Sequence, residues 1–315
     1  MEHIYNTEQF RLENTAVCLG KFDGIHIGHR LLIRHVMECK KQGLKAAVFT
    51  FALHPSTLFS KTEAKLIDTI NEKAEKLSEL GIDVLVSYPF TKETAGMSAE
   101  QFIETVLVEK MGAKVIVVGK DFHFGHQRKG NVEMLQQYAL KYGYRVLALD
   151  KIEEEEQVVS STRVREEIIA GNMEKVTKLL EKPYAITGEV LHGKKLGRTI
   201  GMPTINQEVS DNKILPPKGV YVSKVYLEDG VHGGITNVGT KPTVSGENKV
   251  WIETHIFGFD GDLYGKVLKT ELLYHVRGER KFESFDALTE QMHRDKEFGK
   301  KYLEERKCKK NLFTF

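Results

Sequence analysis

The chain has 315 residues, enough for about two domains at the usual size of roughly 100–200 residues each. Its 46 basic and 44 acidic residues leave a formal charge of +2, which argues against the broad positive field of a nucleic-acid-binding protein. Three widely spaced cysteines (Cys18, Cys39 and Cys308), with no CxxC pair, exclude a disulfide scaffold and argue against a zinc site.

A reducing cytoplasm is the compartment these cysteines suggest. Residues 1–6 carry neither a basic nor an apolar region of the kind a signal peptide needs, and no apolar run approaches the ~18 residues of a membrane span. No membrane partner is therefore expected. Short apolar runs at 16–19, 46–51, 84–86, 115–118 and 145–149 read as buried strands. Helical periodicity falls between them, at 31–42, 71–80, 98–111 and 132–142. Strands alternating with helices predict an α/β domain, a doubly wound parallel sheet with helices on both faces. The acidic run 153–156 reads as a solvated loop.

Near Lys182-Pro183 the texture changes, so two domains are expected, residues 1–182 and 183–315. Strand-like runs at 185–191, 219–227, 249–257 and 266–276, separated by Gly- and Pro-bearing turns, suggest a small antiparallel barrel or sandwich. The chain closes with a helical pattern from 284 to about 306, in which Ser284 is placed to cap and Asp286 to favour the helix dipole.

The strongest chemical signal is the segment Gly20-Lys21-Phe22-Asp23-Gly24-Ile25-His26-Ile27-Gly28-His29. It follows a predicted buried strand and opens a helix. Ligands of doubly wound sheets bind at such carboxyl strand ends, and a helix N-terminus there offers free N–H groups to phosphate. Gly24 and Gly28 permit close backbone approach, and His26 and His29 are placed to donate to phosphate oxygens and stabilise a leaving pyrophosphate. Three later segments share this strand-end placement: His54-Pro55, the stretch from Gly119 through Asp121 and Phe122 to Arg128, and Ser160-Ser161-Thr162 with Arg165. The last offers hydroxyls and a cation for a phosphate clamp, although the hydroxyls alone would equally cap a helix.

In the second half, Gly193, Gly197 and Gly201 suit a flap whose amides contact phosphate, and Thr204 and Asn206 offer oxygen ligands for Mg²⁺. Thr240-Lys241-Pro242 does not make a P-loop, which requires Lys before Ser/Thr. Period two places Glu253 on a strand face with Trp251, His255 and Phe257; desolvation among aromatic rings would suit it to act as a general base.

Taken in this order, the two sets resemble the bacterial bifunctional riboflavin kinase/FAD synthetase family over nearly the whole chain. Gly20–His29, His54-Pro55, Gly119–Gly125 and Ser160–Arg165 resemble motifs of its HxGH adenylyltransferase module. Gly201-Met202-Pro203-Thr204-Ile205-Asn206 resembles the Gly-x-Pro-Thr-x-Asn motif of its riboflavin kinase barrel; the resemblance also covers Arg277-Gly278-Glu279 and Lys281-Phe282 and puts the catalytic base on Glu253. It implies phosphorylation of riboflavin to FMN and adenylylation of FMN to FAD, with ATP and Mg²⁺ as cosubstrate and cofactor. It also implies that His54, Pro55, Asp121, Phe122, Arg128 and Arg277 contact flavin. Only small-molecule partners are expected, in a monomer or weak homo-oligomer. The chain departs from the family pattern at Ala52 and Leu53 before His-Pro, at His123, at Asn131 and at Glu181-Lys182. These departures keep open an alternative, a flavin-binding regulator or kinase-only protein with an impaired first module. An adenylyltransferase for another phosphorylated cofactor would leave the kinase motifs unexplained.

Overall fold

The computed structural model describes residues 1–52, 65–193, 197, 201–242 and 248–312. His54, Pro55 and most of the predicted Gly193–Gly201 flap lie outside the described residues. The chain forms two compact units, Met1–Ser161 and Thr162–Phe315.

The first unit is built on six strands: β1 (Glu2–Tyr5), β2 (Thr15–Leu19), β3 (Lys45–Phe51), β4 (Val84–Tyr88), β5 (Ala113–Gly119) and β6 (Arg145–Leu149). They pair in the order β1-β4-β3-β2-β5-β6, and every pair is parallel. Strand β1, short and polar, gave no apolar run to predict it. The helices are α1 (Ile27–Cys39), α2 (Ile70–Glu79), α3 (Lys92–Gly96), α4 (Ala99–Gln101), which continues as a π-helix (Phe102–Lys110), and α5 (Val132–Tyr142).

Alternation along β2 shows why the sheet is covered on both faces. Ala16 and Cys18 face α1 and α2, packing with Leu32, Ile33, Val36 and Leu77. Val17 and Leu19 face the opposite layer, with Phe102, Ile103, Val106 and Leu135. Buried strands must therefore be apolar at every position, which is why they read as continuous runs. The expected helix at 98–111 is a single α turn followed by the π segment, closed by the Met111 N–H on the Val106 carbonyl at 2.9 Å. Its buried residues Phe102, Ile103, Val106 and Leu107 lie on one face.

The acidic run also differs from expectation. Glu153–Glu154 and Gln157–Val158 form a two-stranded hairpin, β7 and β8, turned by Glu155 and Glu156 at φ 52° and 60°. Both turn residues are exposed, so the run is solvated yet ordered.

In the second unit, helices α6 (Ser161–Ile169) and α7 (Met173–Leu180) precede β9 (Tyr184–Leu191), β10 (Ile205–Glu208), β11 (Gly219–Leu227), β12 (Gly230–Pro242), β13 (Asn248–Ile256) and β14 (Val267–Gly278). The six strands close as an antiparallel barrel, β10-β13-β12-β11-β14-β9, which resolves the expected choice between barrel and sandwich. Strands β10 and β12 were not anticipated; β12 starts with Gly230 and contains Gly233 and Gly234, residues that weaken a strand pattern. Helix α7 packs on β9 and β14, so by packing it goes with the barrel although it precedes Pro183. Val190, Val225, Ile256 and Leu268 fill part of the barrel. A buried polar ladder crosses it: the Thr236 hydroxyl lies 2.8 Å from those of Ser223 and Thr254, and the Thr270 hydroxyl donates to Gln207 Oε1 at 2.6 Å.

Helix α8 (Phe285–Leu312) closes the unit, with Ser284 Oγ accepting the Ala287 N–H at 3.1 Å as its cap. It is tied to β14 by Arg277, whose Nη2 donates to Asp295 Oδ2 at 2.7 Å while Nε bridges both carboxylate oxygens. Asp295 is only 3% exposed, so losing its cation would strand a buried charge. Arg277→Met is expected to lower stability by about 3 kcal/mol, read by chemical denaturation of the full chain.

Candidate active sites

In the first unit the chain runs from β2 outward through β3 to β4, then returns to place β5 on the other side of β2. The crevice at such a reversal, beyond the carboxyl ends of the strands, is where open α/β sheets bind ligands. The Gly20–His29 turn leaves β2 at this point.

Asp23 is 2% exposed, and its Oδ1 accepts the Ile67 and Asp68 N–H groups at 2.9 and 3.2 Å. Its carbonyl accepts from Ser161 Oγ at 2.8 Å. Gly24 has φ +62°, and a Cβ there would lie 2.7 Å from Ile67 Cγ2, so this position needs glycine twice over. The Phe22 ring is fully buried and stands 4.8 Å from the ring of His29. Phe22 and Asp23, expected at the phosphate site, thus shape the turn from behind through their side chains.

His26 and His29 are stacked, 3.7 Å between centroids. His26 caps α1: its Nδ1 accepts the His29 N–H at 3.3 Å. His29 Nδ1 lies 3.2 Å from the Gly24 carbonyl, a partner that only accepts. These partners assign the tautomers. Neutral His26 carries its proton on Nε2 and is a ready donor. Neutral His29 carries it on Nδ1, so its Nε2 becomes a donor only when the ring is protonated. Burial pushes His26 down to about 4; burial, with His26 alongside, holds His29 well below the usual histidine range. As the rings stand, His26 can offer an N–H from Nε2, and His29 can do so from its Nε2 only once the ring is protonated.

Other predicted residues of this unit fall on the β5–α5 connection. Asp121 is exposed and pairs with Lys151 at 2.9 Å. Phe122 stacks on Phe124, 5.7 Å between centroids, and Arg128 is exposed at φ 61°. The backbones of Phe124 and Gly130 bond each other in both directions, closing this loop. Ser160 and Ser161 belong to this unit; Thr162 and Arg165 follow on α6 and by packing belong to the second.

In the second unit, Glu253 lies directly across from Asn206 on β10 and from Asn237 on β12. Residues so paired share a face, with Cβ atoms about 5 Å apart. Ile252, Thr254 and Ile256 are buried on the other face, as period two predicts. Asn206 is 5% exposed, and a Cβ on Gly193 would collide with its amide. Gly197 lies likewise against the Met202 carbonyl, and its own carbonyl accepts the Met202 N–H at 2.8 Å. Two of the three predicted flap glycines are thus close-approach positions at the Gly201–Asn206 motif, while Gly201, at φ +66°, has open space about it.

A cavity of about 540 Å³ opens beside this motif, lined by Pro203, Thr204, Ile205 and Thr254 and by the segment from Phe259 to Tyr264. Thr204 lines it, while Glu253 lies on the other face of β13 from Thr254. Oxygen donors suit Mg²⁺, which takes few protein ligands and keeps the rest for phosphate and water. Of the two predicted ligands, Thr204 lines the cavity together with the carboxylates Asp260 and Asp262, whereas Asn206 shares the opposite face with Glu253. Sequence reasoning missed the Phe259–Tyr264 wall, whose Gly258, Gly261 and Gly265 punctuation was its only signal. His255, placed by period two on the Glu253 face, is buried, and its Nδ1 lies 2.9 Å from the Pro203 carbonyl and so must donate to it, a partner the sequence did not indicate. Arg277, expected at the flavin, spends its guanidinium on Asp295.

Comparison with known proteins gives both units a match. The FAD synthetase family model matches residues 8–163 and the riboflavin kinase model residues 180–303. The chain is 35% identical over 295 residues to the bifunctional riboflavin kinase/FMN adenylyltransferase of Haemophilus influenzae, covering 93% of this chain and 95% of the relative. The chain belongs to that bifunctional family. The Listeria monocytogenes relative of the same name is 32% identical over 300 residues, 94% of this chain and 95% of its own. A solved structure from Streptococcus pneumoniae, described as a macrolide-efflux protein, superposes with a TM-score of 0.85 at 32% identity, covering 95% of this chain and 98% of that one. Among the described residues no helix is long and apolar enough to cross a membrane.

The histidine environment has a consequence for stability. An unfolded histidine binds its proton near pH 6.5, whereas folded His26 does so only near 4. Between these values the unfolded state holds more protons, so stability falls as pH drops from about 6.5 to about 4, by up to about 3 kcal/mol for His26 alone. Melting temperatures across this window should fall less in His26→Asn, which keeps a capping oxygen and loses the titration.

Proposed function

We infer that the two modules carry out consecutive steps of flavin cofactor synthesis: ATP-dependent phosphorylation of riboflavin to FMN, then adenylylation of FMN to FAD with release of pyrophosphate. The observation that carries this reading is the 35% identity to a bifunctional relative along 93% of the chain, which spans both modules. Ala52, Leu53, His123 and Asn131 are then variation within a bifunctional enzyme rather than marks of a lost activity.

In the kinase module Glu253 accepts the proton of the ribityl 5′-hydroxyl as that oxygen attacks the γ-phosphate of ATP. The pairing of Glu253 with Asn206 supports this role, because it sets the base beside a predicted cation ligand. Thr204 and Asn206 would hold Mg²⁺, which neutralises phosphate charge when bound. The close approaches of Gly193 and Gly197 keep the polar groups of the motif in register. Flavin contacts for Asp121, Phe122 and Arg128, and for His54 and Pro55, are part of the same proposal.

In the adenylyl module the FMN phosphate is already an anion at neutral pH and needs no base. Its oxygen bonds to the α-phosphorus of ATP, and the bond to the β-phosphate oxygen breaks with its electron pair leaving on pyrophosphate. His26 donates from Nε2, and His29 takes up a proton as anionic phosphates arrive. Ser161, Thr162 and Arg165 are the proposed remaining clamp. The three unpaired cysteines favour a reducing cytoplasm for these steps.

The test is incubation of the full chain with riboflavin, ATP and Mg²⁺, resolving FMN and FAD by chromatography. FMN should appear first and FAD after it. Glu253→Gln should lower kcat for FMN formation by about 10²–10⁴ and leave FAD formation from supplied FMN unchanged. A Glu253→Gln protein that phosphorylates riboflavin at the normal rate would remove the base assignment.

A further inference from the structure

We propose that Lys73 is the cation that receives the β- and γ-phosphates of ATP during adenylyl transfer. The proposal rests on the reading of His26 and His29 as the adenylyl site.

Three features of the first unit place this ammonium. Helix α2 starts at Thr69 with a reciprocal cap: Glu72 N–H donates to Thr69 Oγ1 and Thr69 N–H to Glu72 Oε2. The residues just before that cap, Ile67 and Asp68, are bonded to Asp23 in the β2–α1 turn. One helical turn beyond the cap, Lys73 reaches back and donates from Nζ to the Lys21 carbonyl at 3.0 Å, in the same turn that carries both histidines. A long side chain is thus fixed at both ends against the HxGH segment, although free lysines keep most of their rotamer freedom.

Its charge is not taken up by a direct ion pair among the described residues. Asp68, just before the helix cap, is taken by Lys76 at 2.5 Å, and Asp23 Oδ1 accepts two backbone amides. Among the described residues Lys73 makes no ion pair, and the Lys21 carbonyl uses one of its three N–H groups. Burial lowers its proton affinity even with Asp23 and Asp68 nearby, and its charge in turn disfavours protonation of His29. A partly desolvated cation without a carboxylate partner is costly unless an anion completes it.

The need for such a cation follows from the histidine pair. With both rings neutral before substrate binds, neither offers positive charge to a triphosphate. Lys73 is a lysine held against the turn, ready to donate to the oxygens that gain charge as the bond between the α-phosphorus and the β-phosphate oxygen breaks. No proton is transferred in the step, and pyrophosphate leaves with the electron pair.

The experiment uses the full chain with FMN, ATP and Mg²⁺, following FAD and its inhibition by inorganic pyrophosphate. Lys73→Met, which keeps the stem and removes the charge, should lower kcat/KM for ATP in FAD formation by about 10²-fold. It should also weaken pyrophosphate inhibition in parallel, and Lys73→Arg should recover at least about tenfold of the loss. FMN formation from riboflavin in the same preparation should stay within about twofold, reporting that the chain is folded. Lys73→Gln is the second variant should the Met form lower that rate too. Unchanged pyrophosphate inhibition in Lys73→Met, or an Arg variant no better than Met, overturns the proposal. His29→Ala in the same assay separates the two readings: if it abolishes FAD formation while Lys73→Met does not, only the lysine assignment fails. If FAD formation survives His29→Ala, the histidine reading fails on its own account.

Discussion

The carboxylate of Asp23 is the fixed point of the first unit. A buried acceptor costs about 1–3 kcal/mol if left unsatisfied, so the chain must bring donors to it. It receives the amides of Ile67 and Asp68, and the carbonyl of the same residue receives Ser161. Segments more than forty and more than a hundred positions away in sequence are thereby drawn to one turn at the end of β2. The left-handed Gly24, the cap supplied by His26 and the start of α2 all follow from where that turn is held.

The second unit reaches an equivalent rigidity by a different route. Its polar groups stand on barrel staves rather than on a turn, and cross-strand register sets Glu253 between Asn206 and Asn237 without any loop being involved. Beneath them, Gln207 donates to the Leu268 carbonyl at 2.8 Å and accepts from Thr270, so β10 is pinned from inside the barrel as well as along its edges. Groups on strands of a closed sheet move less than groups on loops, which suits the role proposed for Glu253, whose distance to a substrate would matter.

Much of this was legible in the residues because the physics was local. Helix α5 ran from Val132 to Tyr142 as its periodicity required, with Asn131 capping one end and the left-handed Gly143 the other. The run at 115–118 lay within β5 because a doubly covered strand excludes polar residues, and the run at 145–149 coincided with β6, an edge strand whose residues are exposed or half-buried. What was not legible depended on partners distant in sequence. Strand β1 has no apolar signature and exists through its pairing with β4, while β12 carries glycines that tertiary packing overrides. At the sites, the HxGH turn and the Gly-x-Pro-Thr-x-Asn motif announced themselves by type and spacing. The tautomers of His26 and His29, the inward duty of Phe22 and the Arg277–Asp295 pair did not, since each is decided by a neighbour in space.

Closure of the barrel bears on how this chain can fail. A cylinder of six paired strands leaves no rim of unsatisfied backbone groups, whereas the open sheet has two, β1 and β6. Such rims are templates for a strand from another molecule. Strand β1 is only four residues long and begins with Glu2, and β6 begins with the exposed Arg145, the kind of short, charged margin that discourages addition. Leu147, 38% exposed in the middle of β6, and Tyr5, 47% exposed at the end of β1, are apolar exceptions. Intermolecular β-pairing in a stressed or crowded preparation therefore has its openings at the edges of the parallel sheet, while the barrel stays self-contained.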